Sequence, residues 1–130
     1  MKSGVLATLM LACAVLPARA TGELTCGGEG VSVDLLVGHM DVLSIARAVV
    51  TIGDKTWSTA PDLFPGTPIT IGQAFEDDRM LVVDFTDADV NQIIGRLRAV
   101  KAAEGEVRAV GGVFSFKDHG AFVVDCSEDL

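Results

Sequence analysis

The densest group of side chains that could bind a metal ion is a set of five aspartates in the middle of the chain. They are Asp77, Asp78, Asp84, Asp87 and Asp89. Carboxylate oxygens on a turn can hold Ca²⁺, so Asp77, Asp78 and Asp84 are weak candidates for a cation site. The glycine and distal glutamate of an EF-hand loop are missing, and Asp87 and Asp89 fit a helix cap. The sequence therefore favours a structural role and predicts neither a metal nor a cofactor.

Two histidines, His39 and His119, are the other residues suited to proton transfer. Both lie in predicted turns, and His119 follows Asp118, but neighbouring side chains on a turn usually point apart. The nearest hydroxyls belong to Ser115 and Ser127, and neither lies in a nucleophile motif such as G-x-S-x-G. Two histidines are also fewer than the ligands of a typical zinc site. We therefore predict no catalytic residues and keep a small hydrolase as the weakest alternative.

The leading candidate for a contact surface is a proline-rich segment with large apolar side chains. Residues 60–68 contain three of the four prolines, and Trp57 precedes them. Proline fixes φ and removes a backbone donor, which favours a semi-rigid surface loop over a strand. Trp57, Leu63 and Phe64 would then be pre-organised for contact with a partner. The alternative is that Trp57 and Phe64 fold back as a lid over one end of the sheet.

The first twenty residues predict export. Lys2 supplies a positive start, residues 5–16 form an uncharged apolar run, and Ala18-Arg19-Ala20 matches an A-x-A cleavage site. The run is shorter than the ~20 residues of a spanning helix, and no comparable run comes after it, so we predict no transmembrane segment. The sequence thus predicts a secretory signal peptide over residues 1–20 and one globular domain over residues 21–130, in the periplasm or secreted.

Cleavage after Ala20 would remove Cys13 and leave Cys26 and Cys126 near the two ends of the domain. Cys13 lies inside the apolar run rather than after it, which favours ordinary cleavage over attachment of a lipid. In an oxidising compartment, two cysteines without others predict one disulfide. That bond would place the two terminal strands side by side or on facing sheets.

The domain is strongly acidic. Residues 21–130 keep eight of the ten basic residues and all eighteen acidic ones, which gives a net charge of −10. This charge opposes nucleic acid and anionic lipid as partners, because both attract cationic surfaces. A protein or a small ligand is the partner that we predict, and the sequence does not indicate an oligomeric state.

Most of the domain has the residue pattern of strands. Such patterns lie at residues 31–37, 42–52, 69–75, 80–85, 107–116 and 121–126. The segment 107–116 contains Gly111-Gly112, where a β-bulge would fit. The patterns predict an antiparallel sheet of about six or seven strands that can curl into a half-barrel.

One amphipathic helix is predicted near residues 87–104. Thr86 as N-cap and Asp89 three residues later approximate a capping box, and Gly105 fits a C-terminal stop. The apolar stripe at helical spacing consists of Val90, Ile93, Ile94, Leu97 and Val100. Together, these signals predict an α+β fold with the helix packed on the sheet.

The segment Leu24-Thr25-Cys26, the glycines after it and Val31-Ser32-Val33 resemble the opening strand of the small, disulfide-bearing bacterial lysozyme inhibitors of the C-type class. The resemblance covers about a dozen residues and implies an inhibitor that inserts an S-G-x-x-Y loop into the enzyme. This chain contains no tyrosine, so no site residue is carried over. We predict an exported bacterial, non-enzymatic binding or interaction domain, with an inhibitor of a basic hydrolase such as lysozyme as the alternative.

Overall fold

The computed structural model describes residues 21–39 and 41–129, and every regular element in them is a β-strand. The nine strands are β1 (Thr21–Gly28), β2 (Val31–His39), β3 (Leu43–Ile52), β4 (Lys55–Ser58), β5 (Thr67–Glu76), β6 (Met80–Asp87), β7 (Ile93–Glu104), β8 (Val107–Phe116) and β9 (Gly120–Asp129). Each strand pairs with the next, and β9 pairs with β1, so the sheet closes into a barrel. The predicted signal peptide lies outside the described residues.

The predicted α+β fold is wrong. The segment 88–92 is the turn between β6 and β7, and most of the predicted helix 87–104 is β7, which pairs with β6 and β8. The predicted half-barrel of six or seven strands is also wrong, because the described residues form a closed barrel of nine.

The residues of β7 alternate between the barrel interior and solvent. Gly95, Leu97 and Ala99 are buried, whereas Arg96 and Val100 are exposed. Glycine and alanine add little to a hydrophobic pattern, so the larger apolar residues at helical spacing dominated the sequence signal. Burial in the barrel overrides that spacing, since a strand needs only one apolar face.

One pair of neighbouring strands is parallel, because an odd number of strands cannot alternate in direction around a closed barrel. This pair is β4 with β5, through the partners Trp57↔Thr67 and Ser58↔Pro68. The other neighbouring pairs are antiparallel. Residues 59–66, which make up most of the proline-rich segment, connect the end of β4 to the start of β5.

The predicted disulfide between Cys26 and Cys126 is confirmed. The two residues are direct partners in the β1–β9 ladder, with their Cα atoms 4.0 Å apart. This ladder runs from Glu23↔Asp129 to Gly27↔Asp125 and closes the barrel. The disulfide therefore fixes the first strand to the last within the closing ladder.

The two ends of the barrel are filled differently. At the end where β8 finishes, the ring centroids of Trp57 and Phe116 are 4.5 Å apart, and those of Phe85 and Phe114 are 6.0 Å apart. We call this the aromatic end. At the opposite end, where β5, β7 and β9 finish, the interior holds aliphatic side chains such as Leu24. We call it the open end.

Close packing of β8 on β7 depends on a glycine. A Cβ atom built on Gly112 would lie 1.9 Å from the carbonyl oxygen of Arg98 and 2.8 Å from the Cα atom of Ala99. Both neighbours are backbone atoms, which cannot rotate away. Only glycine permits this approach of the two strands.

Gly112→Ala is expected to lower the free energy of unfolding by about 1 to 3 kcal/mol, because the methyl group must push two paired strands apart. The measurement is the urea unfolding midpoint. Gly38→Ala is the matched control, since a Cβ atom there meets no heavy atom within 4 Å. Equal shifts in the two variants would contradict the close approach.

Replacing both cysteines, Cys26→Ala with Cys126→Ala, is expected to lower the unfolding free energy by up to about 4 to 5 kcal/mol. This is the chain-entropy value for a loop of ~100 residues, which matches the sequence separation of 100. Urea unfolding measures the loss, and thiol titration of the denatured wild-type protein should find no free thiol in the described domain. Two free thiols in protein purified from the export fraction would show that the bond is absent there.

Candidate functional site

Two strands project beyond their neighbours at the open end. The ladder of β7 with β6 ends at Val100, and the ladder of β8 with β9 begins only at Gly111. Between these points, Lys101–Glu104 and Val107–Val110 form a ladder with each other. We call residues 101–110 the projecting hairpin.

Strand β9 separates from β8 at the same level. Asp125 is the one β9 residue that pairs with both β8 and β1, since residues 120–124 pair only with β8. Beyond it, residues 126–129 pair with residues 23–26 of β1, and the disulfide sits at the first of these positions. In the part of the chain that the structure describes, the edges 107–110 and 126–129 therefore face each other without a ladder between them.

The separation of β8 from β9 opens a cleft of about 600 Å³, within the range of ligand sites. Its apolar lining comes from Leu24, Leu81, Val110 and Cys126. Its polar lining comes from Glu76, Asp78, Lys101, Arg108, Ser127 and Glu128. Because β9 is fixed to β1 by the disulfide, the cleft is a feature of the folded barrel rather than of a loop.

A charged cluster centred on Glu76 lines one wall of the cleft. His39 Nε2 lies 2.6 Å from Oε1 of Glu76, and Lys101 Nζ lies 2.9 Å from Oε2. Burial raises the pKa of Glu76, but hydrogen bonds from Lys101 and then His39 outweigh it, so the net pKa lies below the ordinary value of 4.5. The ionised carboxylate thus joins β2, β5 and β7 at the open end.

The structure separates the three residues of the predicted contact loop. Trp57 is only 9% exposed and packs in the aromatic end, 4.9 Å from the ring of His119. Leu63 is 77% exposed and Phe64 is 38% exposed, and the Arg47 guanidinium carbon lies 4.0 Å from the Phe64 ring centroid. Leu63 and Phe64 are therefore accessible to a partner, whereas Trp57 forms part of the core.

The three weak metal candidates have different surroundings. Oδ1 of Asp77 accepts two backbone N–H groups of its own turn, at 2.8 and 2.9 Å. Asp84 is buried, with its Oδ1 2.8 Å from Arg98 Nη2, and Asp78 lines the cleft. Within residues 21–39 and 41–129, no three His, Cys, Asp or Glu side chains are grouped as metal ligands.

The two histidines lie at opposite ends of the barrel. His39 contacts Glu76 at the open end. The ring of His119 packs against Trp57 and Phe116 at the aromatic end, with centroid distances of 4.9 and 5.7 Å. The two residues therefore do not contribute to one common site.

Sequence reasoning did not find the cleft or the roles of Glu76, Lys101 and Arg108. The alternating patterns locate most strands but do not show where a ladder between two strands stops. The glycine pair Gly111-Gly112 lies at the point where β8 and β9 separate, but the bulge predicted there is wrong, because both ladders of β8 continue through the pair without a register shift.

No protein-family model matches the chain, and the searches of the curated proteins and of the solved structures found no match. No helix among the described residues has the length and hydropathy needed to span a membrane.

Glu76→Gln is expected to lower stability near neutral pH and to have a smaller effect in acid. Because the folded-state pKa of Glu76 is lowered, its carboxylate stabilises the fold above the unfolded-state pKa, and this contribution disappears as the pH falls through the folded-state pKa. Urea unfolding of both proteins between about pH 7 and about pH 3 measures the difference.

The control for this prediction is Asp62→Asn, a change in the exposed β4–β5 connection. It should leave the unfolding midpoint unchanged over the same pH range. A Glu76→Gln effect that stayed constant from neutral to acidic pH would show that the carboxylate charge does not stabilise the open end.

Proposed function

We propose that the protein is an exported, non-enzymatic binding protein that holds its ligand in the cleft at the open end. The observation that supports this proposal is the separation of β8 from β9, which leaves a cavity of about 600 Å³ between the ends of the two strands. Aromatic rings pack in the interior at the other end, where a second pocket of about 640 Å³, lined by residues such as Trp57, Thr67 and His119, is more open to solvent. Concave, pre-formed cavities of this size in the mouths of barrels are typical ligand sites.

The lining of the cleft favours a ligand with both apolar and polar parts. Leu24, Leu81 and Val110 offer an apolar floor, whereas Arg108 and Glu128 place charges at the walls. Apolar contact supplies most of the binding free energy in such a site, and a few polar groups fix the orientation of the ligand.

Export is supported by the disulfide between Cys26 and Cys126, which is compatible with an oxidising compartment. The net charge of −10 over residues 21–130 favours a ligand that carries positive charge. A basic hydrolase such as lysozyme remains an alternative partner for the same reason.

A protein partner at the 59–66 connection is the second candidate. The specific observation is the exposure of Leu63 beside Phe64, whose ring is held by Arg47. Two exposed apolar side chains are a small surface, however, and large apolar patches are the usual mark of an interface. The cleft is therefore the leading site.

The test is to block the cleft with Ala103→Trp, which changes an exposed lining residue of the projecting hairpin on the same face of β7 as buried Ala99. Tagged protein is expressed in the native host, purified from envelope and culture fractions, and analysed by native mass spectrometry. We expect wild-type protein to retain a bound species and Ala103→Trp to retain at least about tenfold less, since steric exclusion costs more than ~1.4 kcal/mol.

Ala121→Trp is the matched control, because it makes the same change at an exposed β9 position near the aromatic end. It should retain the ligand, as should the loop variant Leu63→Ser with Phe64→Ser. Loss of the species from the loop variant but not from Ala103→Trp would assign binding to the 59–66 connection. If Ala103→Trp loses no species at all, the cleft is not the ligand site.

A further inference from the structure

We infer that the ligand of the cleft is an extended peptide segment that adds as a β-strand between β8 and β9. The inference rests on the proposed function, because it names the ligand class of the same cleft. Its evidence is the backbone of the strand edges 107–110 and 126–129, whereas the evidence for the proposed function is the cavity between these edges.

Two sides of the cleft, other than the one lined by the Glu76 cluster, are the edges of strands. Residues 107–110 of β8 pair with β7 on one side, and residues 126–129 of β9 pair with β1 on one side. Within the described residues, neither segment has a ladder partner on the side that faces the cleft. A strand edge presents a row of N–H and C=O groups, which is a template for another strand.

The dimensions of these edges suit a short segment. Four residues of strand extend about 13 Å at the usual rise, so each edge can form a ladder of a few residues. Above the cleft, β8 and β9 are direct neighbours from Gly111↔Asp125 onwards. An inserted peptide therefore ends at this fork, with one edge parallel and the other antiparallel to it, because β8 and β9 run in opposite directions.

Two constraints keep the edges apart before any ligand binds. The disulfide fixes Cys126 to β1, and the ladder from Lys101↔Val110 to Glu104↔Val107 holds β8 on β7. Neither strand can shift towards the other without disturbing one of these contacts. A pre-organised gap lowers the entropic cost of adding a strand.

Side chains at the cleft indicate the sequence of the peptide. Alternate residues of an inserted strand face the interior, where they meet Leu24, Leu81 and Val110. The other residues face solvent beside an acidic border of three exposed carboxylates, Glu104 at the end of β7, Asp125 where β8 and β9 separate, and Asp129 at the end of β9. The charged side chains that line the cleft itself are Glu76, Asp78, Glu128, Lys101 and Arg108, and Lys101 is paired with Glu76.

This charge distribution favours a peptide in which apolar residues alternate with lysine or arginine. It disfavours a second copy of this chain, because two domains of net charge −10 repel each other. It also distinguishes the peptide from a purely apolar ligand, which would gain nothing from the acidic border.

The probe is a displayed library of random peptides, selected on immobilised wild-type protein and depleted on Ala103→Trp, with Ala121→Trp as the control that should keep binding. Enriched peptides should alternate apolar and basic residues. A synthetic peptide of the enriched sequence should slow hydrogen exchange of the amides in residues 107–110 and 126–129. The same peptide with N-methyl groups on its central residues should bind about tenfold more weakly or worse, because it loses several backbone hydrogen bonds.

Two results would overturn the inference: no peptide that separates wild type from Ala103→Trp, or a selected peptide whose affinity is unchanged by N-methylation. If either occurs while Ala103→Trp still loses a co-purifying small molecule, the cleft remains the ligand site and only the peptide assignment fails. If Ala103→Trp loses neither peptide nor small molecule, the proposed function fails as well. An unchanged melting temperature of Ala103→Trp excludes misfolding as the cause of any loss.

Discussion

The ladder between β1 and β9 is the interaction on which the rest of the structure depends. Without it, the nine strands would form an open sheet with two free edges and one uncovered apolar face. Closure buries that face inside the barrel, so no helix is needed to cover it. The disulfide at Cys26 and Cys126 ties this ladder together covalently, which matters because its two strands come from opposite ends of the domain.

The same ladder also explains why the barrel has a cleft. Residues 126–129 of β9 pair with β1, next to the disulfide, and in doing so they diverge from β8. The projecting hairpin completes the divergence, because it extends β7 and β8 past the level at which β6 and β9 accompany them. The closing ladder and the open edges beside it thus have one cause, which is that residues 126–129 of β9 pair with β1 and not with β8.

Most strands were predictable from local pattern, whereas the number of strands and the strand conformation of β7 were not. In residues 31–37, every second side chain is buried, and the alternation is visible in the sequence. In β7 the interior positions include Gly95, which is small because a Cβ atom there would lie 2.9 Å from the Phe116 ring. The predicted cap residues also stabilise a turn: Asp87 Oδ1 accepts the Asn91 N–H at 2.7 Å. Residues that can cap a helix therefore predict a change in chain direction, but they do not predict whether a helix or a strand follows.

The candidate site was hidden from the sequence for a different reason. Motif reasoning selects aspartates, histidines and aromatic residues, and it found Asp78, which does line the cleft, together with His39, which contacts the cleft wall through Glu76. The edges themselves consist of residues such as Ala109 and Ser127 that no motif distinguishes. If recognition uses backbone N–H and C=O groups, every residue carries them, and only the end of a ladder makes them available. Ladder ends are set by pairing between distant segments, so such a site becomes visible only when the whole topology is known.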